Sequence, residues 1–496
     1  MKKKHLVGLF VCIISLLSPI LYAKRRVFER SFMYTKPAFY DEVMKQALWH
    51  DIEFHKKGKI KGGIQVIPFF QNSIAMDKNT QYFLMNGKTE LLVAGDAIIK
   101  DLEIRDIRAE WINLPSDFRG FLSVNPKQKQ QGCVFEYHQD LRLFDISFLK
   151  NMYILFSLPV SMVKNHINLT QANVSNPHVG EIPSDMPRDI IEAFNQPSWN
   201  FSRIDNCQKK RIGVAELTIK IGSCYLARDF FQLDYYSVIA APTGNKQTGC
   251  TMFEPVNGNN HHLGIGGGIN MQVPLNRDTT SFAWCGFINL ESVILLRNKQ
   301  FRTYDLFNKP WSRFLLMNVI GATENTNQPG VNYMTQRITA KPFNVVDFAI
   351  GWRFHTSAME AEVGYGIWGH GNERTNLKQP APLHIFGQDG RIPVITDQPL
   401  PFGIAGSAPG KTASKSTIAF KAADDLEFVP IMTSDINPQT GESYGGFSQR
   451  AFASIGWINK GAMIDAVLGA GFSVDVPFHN SLLQLWKIWL KFSITF

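Results

Sequence analysis

The stretch Leu482–Phe496, LLQLWKIWLKFSITF, decides the fold. Its even positions read Leu482, Gln484, Trp486, Ile488, Leu490, Phe492, Ile494 and Phe496, while Lys487, Trp489, Lys491, Ser493 and Thr495 stand between them. A period of two places one row on each face of an extended strand. One face is therefore apolar and the other mostly polar, over a length sufficient to cross a hydrocarbon layer at a tilt.

Other segments repeat the pattern. Leu263, Ile265, Gly267, Ile269, Met271, Val273 and Leu275 alternate with Gly264, Gly266, Gly268, Asn270 and Gln272. That run is glycine-rich, but no Gly-Lys-Ser/Thr follows and the period is not helical, so a strand with a small-residue inner face is the reading, not a phosphate loop. Ile464, Ala466, Leu468, Ala470, Phe472 and Val474 alternate with Asp465, Gly469, Gly471, Ser473 and Asp475.

The segment Val345–Trp368 reads as a hairpin, with Val346, Phe348, Ile350, Trp352 and Phe354 on one face of its first strand. Met359, Ala361, Val363, Tyr365 and Ile367 take the same face of the second. A turn at Thr356–Ser357 pairs Phe354 with Met359, Trp352 with Ala361, Ile350 with Val363 and Phe348 with Tyr365, and it sets Arg353 opposite Glu360. Both faces are then consistent in one register. Charges on the second face suit a wet interior.

The other end of the chain reads as an export signal. Lys2, Lys3 and Lys4 precede the apolar run Leu6–Leu17, Pro19 breaks it, and Ala23 offers a cleavage site before Lys24. The expectation is a signal peptide over residues 1–23, removed in the mature chain. Three lysines and no acids leave with it, so the formal charge falls from +9 to +6. No basic cluster interleaved with aromatics stands out, so nucleic acid is not an expected partner. Five cysteines remain (Cys133, Cys207, Cys224, Cys250, Cys285), in no zinc or redox spacing and odd in number. No later apolar stretch reaches the ~20 residues of a spanning helix.

Alternating strands, an export signal and a terminal aromatic together resemble the bacterial outer-membrane β-barrel proteins, porin-like in style, whose last strand ends in an aromatic residue read by the assembly machinery. Phe496 takes that role here. The resemblance implies an all-β, transmembrane antiparallel up-and-down β-barrel in the outer membrane, with lipid, periplasmic chaperones and the barrel-assembly machinery as partners. Counting strands gives about 14, within 12–16. Short links near Asp145–Leu149, Asp229–Phe230, Thr356–Ser357 and Asn459–Gly461 fall on the periplasmic side when counted back from Phe496. Long Pro/Gly-rich ones at Val163–Gln208, Asn298–Lys341 and Gly369–Tyr444 fall outside. Trp352, Trp368, Trp457, Trp486 and Trp489 are candidates for the interfacial girdles.

Two segments depart from strand style. Ser184–Asn195 reads as a short helix in an outer loop. Lys36–His55 reads as a short helical N-terminal segment ahead of a first strand near Gly62, so residues 24–60 form either a periplasmic extension or a plug and residues 61–496 the barrel. Tyr235–Gly244, YYSVIAAPTG, is similar in style to strands of the fatty-acid and aromatic-hydrocarbon uptake barrels. Lys36-Pro37-Ala38 partly matches the Asn-Pro-Ala that opens their plug.

Function stays divided among three readings. The first is a channel or transporter for small solutes, with Arg353, His355, Glu360 and Glu362 facing the lumen, where opposed charges orient dipolar solutes. The second is a plugged barrel for hydrophobic compounds, and the third a surface protein such as an adhesin. No enzyme is expected: His261, His262 and Asp278 lack a nucleophile motif, and no catalytic, metal-ligating or cofactor-binding set emerges. Oligomeric state is left open.

Overall fold

A computed structural model describes residues 26–46, 62–95, 98, 105–144, 146–149, 151–175, 186–227, 231–275, 282–314, 316–319, 328–356, 358–377, 386–388, 429–430, 433–461 and 464–496. The expected signal peptide, residues 47–60 and Asp278 lie outside the described residues.

Twelve antiparallel strands close into a barrel: β1 Gly62–Ile74, β2 Lys127–Asp140, β3 Met152–His166, β4 Leu217–Ala227, β5 Phe231–Ala241 and β6 Gly264–Pro274 form the first half. The second comprises β7 Phe282–Leu295, β8 Asn344–Thr356, β9 Met359–His370, β10 Gly446–Lys460, β11 Asp465–Pro477 and β12 Gln484–Thr495. Each pairs with its neighbours in sequence, and β1 pairs with β12 to close the ring. Closure removes the open edges a sheet would expose to lipid. Phe496 extends the seam, its N–H donating to the Gly62 carbonyl at 3.0 Å and the Gly62 N–H to its own carbonyl at 2.9 Å.

Twelve strands replace the fourteen expected. That count is the lower end of the 12–16 range, and the long connections hold short strands of their own outside the ring: Leu91–Ala94 pairs with Ile107–Arg108 and Arg119–Ser123, and Asn298–Thr303 with Thr335–Lys341. Lys209–Val214, by contrast, continues β4 upward along β3.

The alternation of faces is as the sequence reads. On β12, Ile488, Leu490, Phe492 and Ile494 are exposed, whereas Lys487, Lys491 and Ser493 are buried toward the bore. Tyr235, Ile265, Ile350, Val363, Leu468 and Phe472 likewise point outward, each 39–54% exposed. A continuous apolar belt of that kind is unfavourable in water and satisfied by lipid.

Three particulars differ from the sequence reading. The β8–β9 hairpin is slipped by two residues: Phe354 pairs with Ala361, Ile350 with Tyr365, Arg353 with Glu362 and His355 with Glu360. A slip of two leaves every face unchanged, so face periodicity could not have detected it. Trp368 and Trp489 are not girdle residues, being 0% and 2% exposed on the inward rows, while Trp352 and Trp457 face outward. Leu482 precedes β12 and is buried.

Connections at one mouth are short, such as 228–230 between β4 and β5 and 461–464 between β10 and β11. At the other mouth 75–126, 167–216, 296–343 and 371–445 intervene. The described residues of the long connections fold together as a cap around a hydrophobic core that includes Trp111, Phe118, Phe194, Trp199, Trp311 and Phe314. Within it, the helix expected over 184–195 is a single turn, Ile190–Ala193, capped by the Asp189 carboxylate accepting from the Glu192 N–H at 2.8 Å.

Candidate functional site

The bore of the barrel is filled by the chain's own N-terminal part. Residues 27–31 lie in the cap, where Asn480 exchanges hydrogen bonds with both backbone groups of Val27 and the Arg30 N–H donates to Tyr82 O at 3.0 Å. From Tyr34 the chain descends through the lumen and ends in the one-turn helix α1, Glu42–Gln46. Its last carbonyl contacts lie near the short-turn mouth: Lys45 O accepts from Gln65 at 3.1 Å and from Lys491 at 2.7 Å. Residues 34–45 are thus an internal segment spanning most of the bore.

Charge from several strands converges on this segment. Asp41 sits 2.8 Å from Arg450 of β10 and is ion-paired with Lys487 of β12. Glu42 lies 2.8 Å from Lys220 of β4, and its N–H donates to Asp347 of β8 at 3.0 Å. Lys36 pairs with Asp475 of β11 at 2.8 Å. The wall groups are themselves linked, Arg450 to Asp347 at 2.6 Å and Lys220 to Glu291 of β7 at 2.5 Å. All these charges are buried, so each relies on its partners to offset lost hydration.

Polar anchors complete the fit. The Tyr40 hydroxyl donates to Glu216 at 2.8 Å, and Asn259 donates to the other Glu216 oxygen at 2.6 Å. A bulge aims Glu216 inward: β3 pairs Val160 with Val214 above it and Ser157 with Thr218 below, leaving one extra residue at Ala215–Glu216. Between the ionic anchors, Phe39, Val43 and Met44 join an apolar cluster with inward Phe69, Val238, Phe287, Phe452 and Trp489. A residual cavity of about 30 Å³ lies beside Glu42, Lys45, Gln65, His138, Tyr153 and Tyr236, room for a water or two.

The four residues singled out in the sequence form a separate inward cluster toward the short-turn mouth. Arg353 lies 3.2 Å from Glu360 and is bonded to Glu362, and the Ser454 hydroxyl donates to Glu362 at 3.4 Å. His355 Nδ1 is 3.7 Å from Glu360. The Arg353 guanidinium also lies over the Phe287 ring at 5.3 Å from its centre. This cluster ties β8 to β9 and β10. His262, considered in the sequence together with His261 and Asp278, is a buried strut at the long-loop mouth: its Nδ1 donates to Leu296 O at 2.6 Å and its Nε2 accepts from Gln300 at 2.6 Å.

Sequence reasoning missed Lys220, Asp347, Arg450 and the pair Asp41–Glu42. A signal existed: charges at inward parity on separate strands, and an acidic pair within the N-terminal segment. Pairing them requires the three-dimensional ring.

No family model and no curated protein matches the chain. Solved structures with a similar course are barrels of low identity. An outer membrane channel from Pseudomonas putida is 10% identical, with 88% of this chain and 97% of that one covered and a TM-score of 0.38. The Pseudomonas putida toluene transporter TodX is 9% identical over 95% and 99%, with a TM-score of 0.35. A Pseudomonas aeruginosa FadL homologue is 7% identical over 88% and 90%, with a TM-score of 0.28.

Proposed function

We propose that this chain is an outer-membrane channel for small polar solutes, held shut by its own residues 34–45 and without enzymatic activity. The long connections then face the exterior and the short turns the periplasm, as is usual for such barrels. The observation that carries the reading is the way the bore is closed. The wall is held by backbone ladders that do not involve the internal segment, whereas the segment is held by ion pairs, side-chain hydrogen bonds and the packing of Phe39, Val43 and Met44. Once water enters the bore, each polar bond exchanges for one to water at a net cost of about 0.5–3 kcal/mol, and none of the wall's ladder bonds is lost, so the segment can leave while the cylinder stays intact. The vacated bore would carry charge of both signs, which suits dipolar solutes.

A second reading draws on the inward Phe69, Phe287 and Phe452, which offer an apolar strip to a hydrophobic compound. Planar-bilayer recording separates the two. The wild-type chain should show rare openings, and the double variant Asp41→Asn, Glu42→Gln frequent stepwise ones. A correctly folded, heat-modifiable double variant as silent as the wild type would refute the channel.

A further inference from the structure

This inference rests on the channel reading and names its solute. We infer that Asp41 and Glu42 occupy, in the closed barrel, the site of a small dicarboxylate, and that Lys487, Arg450 and Lys220 bind that solute when the segment withdraws.

The argument begins with Lys487. Its ammonium is wholly buried, and among the described residues its polar partners are the Asp41 carboxylate and the Ala38 carbonyl, the latter at 3.0 Å. Both belong to the internal segment. Withdrawal therefore strips the ammonium of both hydrogen-bond acceptors and leaves it to entering water and to the charge of Asp475, which loses Lys36 in the same movement. Arg450 lies two strands away on β10 and presents Nη1 to the same carboxylate at 2.8 Å, while Asp347 holds its Nη2 at 2.6 Å. Its guanidinium stays oriented after the segment leaves. Two cations converging on one carboxylate, Lys487 through a hydrogen bond and Arg450 through an ion pair, are a recognition site for that group.

The second carboxylate is received elsewhere. Glu42 meets Lys220 on β4, and β4 and β10 stand six strands apart, on opposite walls of the closed ring. Glu291 fixes Lys220 as Asp347 fixes Arg450. Adjacent residues of the segment thus place two carboxylates against two pre-oriented cationic stations across the lumen. A solute with two carboxylates separated by a short chain satisfies both stations, whereas a monocarboxylate reaches one. The segment acts as a tethered competitor, with the advantage of high effective concentration.

The test records the open-channel current of the full chain carrying Asp41→Asn and Glu42→Gln, at low ionic strength where charge is least screened. Succinate is titrated against succinamide, its uncharged analogue. Succinate should block at a concentration about tenfold lower, the worth of a charge-assisted hydrogen bond. Adding Lys487→Met should abolish that preference, and Lys487→Arg should keep it. Equal block by both compounds, or a preference that survives Lys487→Met, overturns the inference. If no current passes, the channel reading fails and calorimetry on the same double variant decides the site. Succinate heat that Lys487→Met removes and Lys487→Arg retains supports it; no heat overturns it.

Discussion

Replacing Ile350 by Lys tests whether the belt around the barrel meets lipid. Ile350 lies outward at the centre of β8, six residues from either end, and is 39% exposed. At about 3.3 Å per residue and a tilt of about 40°, it stands roughly 15 Å along the barrel axis from each end of the strand. That places it near the middle of the hydrocarbon, where a lysine costs about 2–4 kcal/mol. Ile212 provides the control. It is 67% exposed, more than Ile350, but pairs with Met162 near the long-loop end of β3, where the same change costs about 0–1 kcal/mol. Urea titration of each variant in phosphatidylcholine vesicles, followed by tryptophan fluorescence and gel mobility, gives the two values. Were the outer face in water, both substitutions would be nearly neutral. Equal destabilisation by Ile350→Lys and Ile212→Lys refutes the assignment of the belt.

Two more outcomes follow from packing and titration. A Cβ at Gly268 would stand 2.3 Å from the Tyr236 ring and 2.7 Å from Leu290 O. Gly268→Ala should therefore displace Tyr236 from Glu291, which it donates to at 2.9 Å, and cost about 1–3 kcal/mol of stability by urea titration; an unchanged midpoint would contradict the contact. Burial lowers the pKa of His262 to about 4, opposed by its bond to Leu296 O and aided by nearby Arg302, Lys246 and His261. The folded mouth thus prefers the neutral ring. Its stability is full above about pH 6.5 and declines as pH falls toward 4, by about 1.4 kcal/mol per unit from this group. Amide exchange at Leu296, whose N–H donates to Leu263 O at 2.7 Å, should accelerate over that window after correction for intrinsic rates, and His262→Gln should flatten the trend.

Faces were legible in the sequence because a one-residue error exchanges every side chain between lipid and lumen. Ile488, Leu490 and Phe492 could therefore be assigned outward, and Lys487 and Lys491 inward, from period alone. Registers were less so. The slip of the β8–β9 hairpin preserved both faces and turned only on turn length, which Thr356 and Ser357 do not specify. Trp368 and Trp489 were misassigned because their size suggested a girdle, although their parity placed them inside. Position within the alternation outranks residue type. Gly351 carries the same lesson. Its parity is inward, which suggests that the lumen would admit a lysine, but a Cβ there would meet Val363 O at 2.5 Å. The candidate site was hidden for a different reason. Asp41 meets Arg450 and Lys487 across more than four hundred residues of chain, and local pattern carries no information about such a meeting.

The descent of residues 34–45 through the bore changes a count. An even number of strands ordinarily returns a chain to the side from which it set out. Here the internal passage adds a thirteenth crossing, so Arg26 and Phe496 stand at opposite mouths. A peptide tag placed just ahead of Arg26 should be displayed on the long-loop face and one after Phe496 on the other, which makes a single molecule addressable from both sides of the membrane.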